Sequence, residues 1–161
     1  INQFIAHHSV IFQPEKRLMW VSTSPWQCGK YVAYDLNKIF KDTINWQHEI
    51  YSSNLTIPED KFIDTPEFQH LLTYKKLTPL LLKKIRKKEK IEESVLKTYQ
   101  ASNPSLYYVY EVIGDYYEAM QQSKQAIAYW QQALKKSIPK LQEKERIQQK
   151  IQKQSKDGKE S

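Results

Sequence analysis

The chain carries few residues able to make or break bonds. Its one cysteine, Cys28, sits between Gln27 and Gly29. A thiol becomes a nucleophile when a base or positive charge lowers its pKa. No base stands at a revealing spacing from Cys28, so it is read as a small buried residue. One cysteine also excludes an internal disulfide and a cysteine-based metal cluster. His7 and His8 are adjacent, so on a strand they point to opposite faces and cannot chelate one metal together. His8 with Ser9 has the residue types for acid–base work. No carboxylate accompanies them at a telling distance, and ordinary sheet histidines are the simpler reading. His48 with Glu49 lacks a partner motif. Glu67 and His70, three apart on an expected helix, share a face as a surface contact does. There is no H-E-x-x-H and no G-x-S-x-G, and 3 glycines are too few for a phosphate-cradling loop. These residues assign no catalytic group, no metal and no cofactor. Asn54-Leu55-Thr56 fits the glycosylation pattern, which is too short to carry weight alone.

The elements that would position these residues follow two different periods, and the fold class expected is α+β. At 161 residues the chain can hold one domain and a smaller appendage. Its apolar fraction is 40%, but 4 Trp, 11 Tyr and 5 Phe can build a core. Residues 4 to 23 read as a β-hairpin, with Phe4 to Phe12 and Leu18 to Thr23 as strands and Gln13-Pro14-Glu15-Lys16 as the turn. Val10-Ile11-Phe12 places apolar side chains on both faces, as in a strand covered on both sides. A lone hairpin is marginal in water. Ser24 to Gly29 reads as a loop, and Tyr31 to Phe40 as a short amphipathic strand or helix. Residues 41 to 60 look irregular.

From residue 65 the apolar period becomes helical. Thr65 caps a helix with Pro66 at its first position. Thr78 and Pro79 repeat that start signal for a helix from Leu80 to Lys90. A further helix spans Ile91 to Ala101, and Asn103-Pro104 breaks it. Leu141, Ile147 and Ile151 mark a last, capping helix, and residues 155–161 read as a disordered tail. The boundary between the hairpin and the helical part is expected between residues 50 and 64. The division is thus 1–55 for the hairpin and loop, 64–154 for the helices, and 155–161 for the tail.

The formal charge is +7 with a pI near 9.3, concentrated in Lys83 to Lys90 and in the residues after Pro139. No aromatics interleave with Lys83 to Lys90, so this run reads as a solvated helix face, and nucleic acid is not an expected partner. No stretch is long and apolar enough to span a membrane, and no signal peptide is visible. The chain opens on Ile1-Asn2-Gln3-Phe4-Ile5 without an initiator Met, which reads as a fragment or processed product. Targeting signals of a parent would then be missing, and the compartment stays open between cell envelope and cytoplasm.

Two resemblances extend this reading. Tyr110, Ile113, Gly114 and Tyr117, followed by Ala126, Trp130 and Ala133, have the spacing of one tetratricopeptide (TPR) unit, with Pro139 one place later than the usual closing proline. A lone repeat cannot bury its apolar face. The resemblance implies a helix pair with Gly114 at the close contact, and a possible protein or peptide partner on its surface. Tyr107, Tyr108, Tyr110, Tyr116 and Tyr117 could form a peptide groove, but at helical spacing they read first as repeat core.

The stretch His7-His8-Ser9-Val10-Ile11-Phe12-Gln13-Pro14, with Met19-Trp20-Val21-Ser22-Thr23-Ser24-Pro25-Trp26-Gln27-Cys28-Gly29-Lys30-Tyr31, resembles the C-terminal end of bacterial N-terminal-nucleophile (Ntn) hydrolase-fold proteins. These are relatives of acyl-coenzyme A:6-aminopenicillanic acid acyltransferase and the linear-amide C–N hydrolases. The resemblance implies that the hairpin belongs to one sheet of an αββα sandwich whose remainder lies upstream. It implies a nucleophilic cysteine freed at a chain N-terminus far upstream, so none in this chain, with His8 and Ser9 as candidate pocket-wall residues. The expected parent acts on amides or acyl thioesters. The alternative is a TPR-type interaction module without catalysis.

Overall fold

The structure is a computed structural model that describes residues 8–25, 27–40 and 50–157. Its architecture is α+β: a small antiparallel sheet precedes a series of helices. The chain forms two compact units, Ile1–Phe68 and Gln69–Ser161.

In the first unit β1 (Val10–Gln13) pairs with β2 (Leu18–Ser22), and β2 pairs with β3 (Tyr31–Asp35), all antiparallel. The expected hairpin is therefore two strands of a three-stranded sheet. Its first strand begins at Val10, and Phe4 to His7 lie outside the described residues. Pro14–Lys16 forms the turn, closed by Arg17 at φ 53°. Tyr31 to Phe40 is strand and helix in succession. Asp35 ends β3 and accepts the Asn37 N–H at 3.0 Å, capping the one-turn helix α1 (Leu36–Ile39).

The segment after residue 50 is not a linker. Ser52 N–H donates to the Ala33 carbonyl at 2.8 Å, Tyr31 and Ile57 exchange backbone bonds, and the Trp20 indole N–H donates to the Leu55 carbonyl at 2.8 Å. Residues 52–57 thus cover the β3 edge, because β3 presents unpaired backbone groups there. The boundary accordingly falls at Phe68, later than the 50–64 expected. The outer edge of β1 has no partner among the described residues.

In the second unit α2 (Pro66–Arg86) begins as expected at Thr65–Pro66 but does not restart at Pro79. The Thr78 hydroxyl donates to the Tyr74 carbonyl at 2.7 Å and bonds the Tyr99 hydroxyl at 3.1 Å. Tyr74 stacks on Tyr99, and Leu81 is buried one turn later. This packing carries the helix through a proline that local preference reads as a start. α3 (Glu93–Ser102) ends at Asn103, and α4 (Tyr107–Ala119) and α5 (Ser123–Leu134) follow as a tight helical hairpin. α6 (Leu141–Asp157) runs past Ser155, so residues 155–157 of the expected tail are helical, and 158–161 lie outside the described residues.

α2 and α4 end alike. Glu89 N–H donates to the Lys84 carbonyl and Lys88 N–H to Ile85; Gln122 N–H donates to Tyr117 and Gln121 N–H to Glu118. Each is a Schellman ending, with Lys88 (φ 54°) and Gln121 (φ 59°) in the left-handed position that favours glycine. Lys83, Lys84 and Arg86 fill the last turn of α2 and complement its dipole, while Lys87 to Lys90 form the turn beyond. The basic run is half helix end and half turn, not one helix face. Lys88→Gly and Gln121→Gly should each raise the unfolding free energy by about 0.5–1 kcal/mol, the left-handed strain relieved less the entropy glycine gains on unfolding. Urea denaturation of each variant checks this; unchanged midpoints would contradict it.

Candidate functional site

The sequence-derived candidates His8, Ser9 and Cys28 lie in the first unit, and His70 lies in the second. His8 is exposed just before β1. Ser9 extends the ladder: its N–H donates to the Ser22 hydroxyl at 2.7 Å, and its carbonyl accepts from Ser22 N–H at 2.9 Å. Neither lines the cavities described below. His7, Trp26 and His48 with Glu49 lie outside the described residues, and His70 is exposed on α2. Cys28 is half-buried, and its thiol pKa is pushed up, first by burial and then by the Asp60 carboxylate. That is the reverse of nucleophile activation. Gly29 beside it is there for space: a Cβ would meet the Thr23 and Ser24 carbonyl oxygens at 2.5 Å. Among the described residues, His8, Ser9 and Cys28 share no hydrogen bond with one another. Among the described residues no group of His, Cys, Asp and Glu could hold a metal ion. No described helix is long and apolar enough to cross a membrane.

The second unit holds a denser polar arrangement that the sequence did not single out. α4 is its central helix. Val109 to Gly114 and Tyr116 are all buried, so the helix is covered nearly all round. Gly114 makes this possible: a Cβ there would fall on the Trp130 indole of α5. Trp130 is fully buried, as are Ala126 and Ala133 of the same helix, and its indole N–H donates to Asp115 at 2.9 Å. Glu111 is buried to 1% exposure on the same helix. A carboxylate buried there must be paired. Its partners are Arg146 and Lys150, both from α6.

Lys150 bridges Glu111 at 2.8 Å and both Asp115 oxygens at 2.7 and 2.9 Å. Burial alone would lower the pKa of its ammonium. Its hydrogen bonds to Asp115 and Glu111 outweigh burial and hold it above the ordinary lysine value. At Asp115 burial wins and raises the carboxyl, against the pull of Lys150. Beside this cluster opens a cavity of about 610 Å³, lined by Ile85, Lys88, Asp115, Glu118, Gln121 and Lys150. A second cavity, of about 590 Å³, lies over Ile91, Leu96, Tyr116 and Tyr117, rimmed by Glu92, Glu93 and Gln125. Both offer charge and amides to a ligand.

The tyrosines form the rest of this core. Tyr110 and Tyr116 are buried, with hydroxyls donating to the Pro104 and Ile91 carbonyls; Tyr107, Tyr108 and Tyr117 pack at its margin. The phenols of Tyr74, Tyr99, Tyr107, Tyr108 and Tyr117 are all pushed up, chiefly by burial. In the unfolded chain they ionise near pH 10. A group whose folded pKa is raised holds its stability below the unfolded pKa and loses it as pH climbs through the folded value. The helical unit should therefore lose stability from about pH 10 upward, with tyrosinate absorbance lagging that of free tyrosine. Tyr99→Phe should reduce that loss, and an alkaline unfolding profile unmoved by Tyr99→Phe would contradict it. Compared with models of protein families, with curated proteins and with solved structures, the chain matches none.

Proposed function

We propose that the chain is the C-terminal portion of an amide hydrolase or acyltransferase of the Ntn type, with a TPR-like helical extension and no nucleophile of its own. The observation that carries this reading is the state of β1. Val10, Ile11 and Phe12 are 45%, 43% and 63% exposed, on consecutive positions that face both sides of the sheet. By the ladder pattern the Val10 and Phe12 backbone groups point to the outer edge, which no described residue pairs, since Ser9 and Ser22 pair inward. An edge strand with two apolar faces suits a sheet that continues and is covered on both sides. This adds to the resemblance over His7–Pro14 and Met19–Tyr31.

Two assays test the proposal. The chain alone should turn over neither N-acyl amides nor acyl thioesters, because nucleophile, base and oxyanion donors are not assembled in it. Turnover abolished by Cys28→Ala would overturn that. Joined to the residues encoded upstream, it should mature to a species with N-terminal cysteine and gain amide turnover. Upstream repeats without turnover would refute the enzyme reading. They would favour the second reading, a TPR-type interaction module. What supports that reading is the seating of Trp130 against Gly114, with Ala126 and Ala133 buried on the same helix as the ring.

A further inference from the structure

Every side-chain partner found for buried Glu111 comes from α6. Arg146 donates to it twice, at 3.1 and 2.8 Å, and Lys150 once. One turn on, Lys150 holds Asp115; beyond that Gln154 donates to Glu118 at 3.2 Å and accepts the Ser123 hydroxyl at 2.7 Å. The contacts form a ladder, with Glu111, Asp115 and Glu118 of α4 facing Arg146, Lys150 and Gln154 of α6. On the same helix Ile147 is fully buried in the core, and Ile151 packs half-buried against it. Little else is apolar: Leu141 at the start of α6 is 69% exposed. α6 is thus held by charge and amide groups around one buried isoleucine, and residues 135–140 tether it to α5.

We propose that the acidic face of α4 beneath α6, with α5 alongside, is a docking site for basic amphipathic helices. α6 fills it in cis, and a partner helix with the spacing Arg-Ile-x-x-Lys-Ile-x-x-Gln can displace it. Charge complementarity selects the occupant: the seat offers three carboxylates in a row and one apolar slot. A short tether gives the cis helix a high effective concentration, so a free helix competes poorly until the cis pairing is weakened. This inference goes beyond the enzyme reading and does not depend on it.

The test uses the full chain and a labelled peptide with the sequence of residues 141–157. Arg146→Glu with Lys150→Glu should release the cis helix. By fluorescence anisotropy the peptide should bind this variant at least about tenfold more tightly than the unaltered chain, and more weakly as salt rises. Adding Glu111→Lys should restore the cis pairing and remove peptide binding. A folded double variant that binds no peptide, or binds it no better than the unaltered chain, overturns the proposal. Should the double variant not fold, hydrogen exchange of the unaltered chain decides. Amides of α6 opening ahead of those of α4, and faster in salt, support an exchangeable helix. Amides of α6 that exchange only with global unfolding refute it.

Discussion

Trp130→Ala should lower the unfolding free energy of the helical unit by about 3–5 kcal/mol. The ring is fully buried, and its removal opens a cavity between α4 and α5. The loss also removes one of the two donors to the Asp115 oxygen that accepts the indole N–H, leaving Lys150 as the other. Gly114 has no side chain to fill the void, so collapse around it is limited. Gly114→Val attacks the same contact from the other side, adding atoms where the indole lies. The two substitutions share one space, so their combination should cost less than the sum of the single costs. Equilibrium urea denaturation of both single variants and the double gives the cycle. A Trp130→Ala loss under about 1 kcal/mol, or strict additivity in the double variant, would mean that the ring does not fill this space.

Lys150→Met should lower the unfolding free energy by about 2–3 kcal/mol. Removing one partner of a buried ion pair leaves a charge without compensation, typically at 3–5 kcal/mol. Two features lower that figure here: Lys150 keeps 24% of its side chain exposed, and Arg146 remains on Glu111. The pH dependence has a definite sign. The Lys150 pKa is raised on folding, so its contribution is fully present below the ordinary lysine value of 10.5 and lost as pH rises through the higher, folded one. The difference between the unaltered chain and Lys150→Met should shrink across that range. Adding Asp115→Asn to Lys150→Met should recover part of the loss at neutral pH, since it removes a carboxylate left unpaired. A double variant less stable than Lys150→Met alone would show that the cost lies in packing and not in charge.

Much of the second unit was legible in the sequence because its signals are local. Tyr110, Ile113, Gly114 and Tyr117, with Ala126, Trp130 and Ala133, mark the α4–α5 pair through spacings of three and four, which a helix turns into one face. Thr65-Pro66 and Asn103-Pro104 mark a start and a stop. Pro79 misled for the opposite reason: the Tyr74–Tyr99 stack and the Thr78 hydroxyl that override it come from residues distant in sequence or from tertiary packing. The third strand was half seen, because Tyr31 to Asp35 is too short to separate from the helical turn that follows. The charge ladder was invisible. Glu111 looks like any surface glutamate until α4 is known to be covered on every side. Arg146 and Lys150 sit in a run of lysines and glutamines that reads as solvated. The single hint is Glu111 itself, a carboxylate inside the run Val109 to Ile113 that is otherwise apolar or aromatic.

The ladder also sets an order of events as the chain is made. Glu111 and Asp115 leave the ribosome well before Arg146 and Lys150, which lie 35 to 39 positions later. Trp130 and Gly114 are close in sequence and can meet early, as local contacts do. Until α6 emerges, the outer side of α4 must keep its carboxylates hydrated, and the slot for Ile147 stays wet. The nascent helical hairpin is therefore a half-finished core with one acidic, solvated wall. Its closure waits for the last helix, and ribosome-bound chains halted before residue 146 should expose that wall to chaperones and proteases.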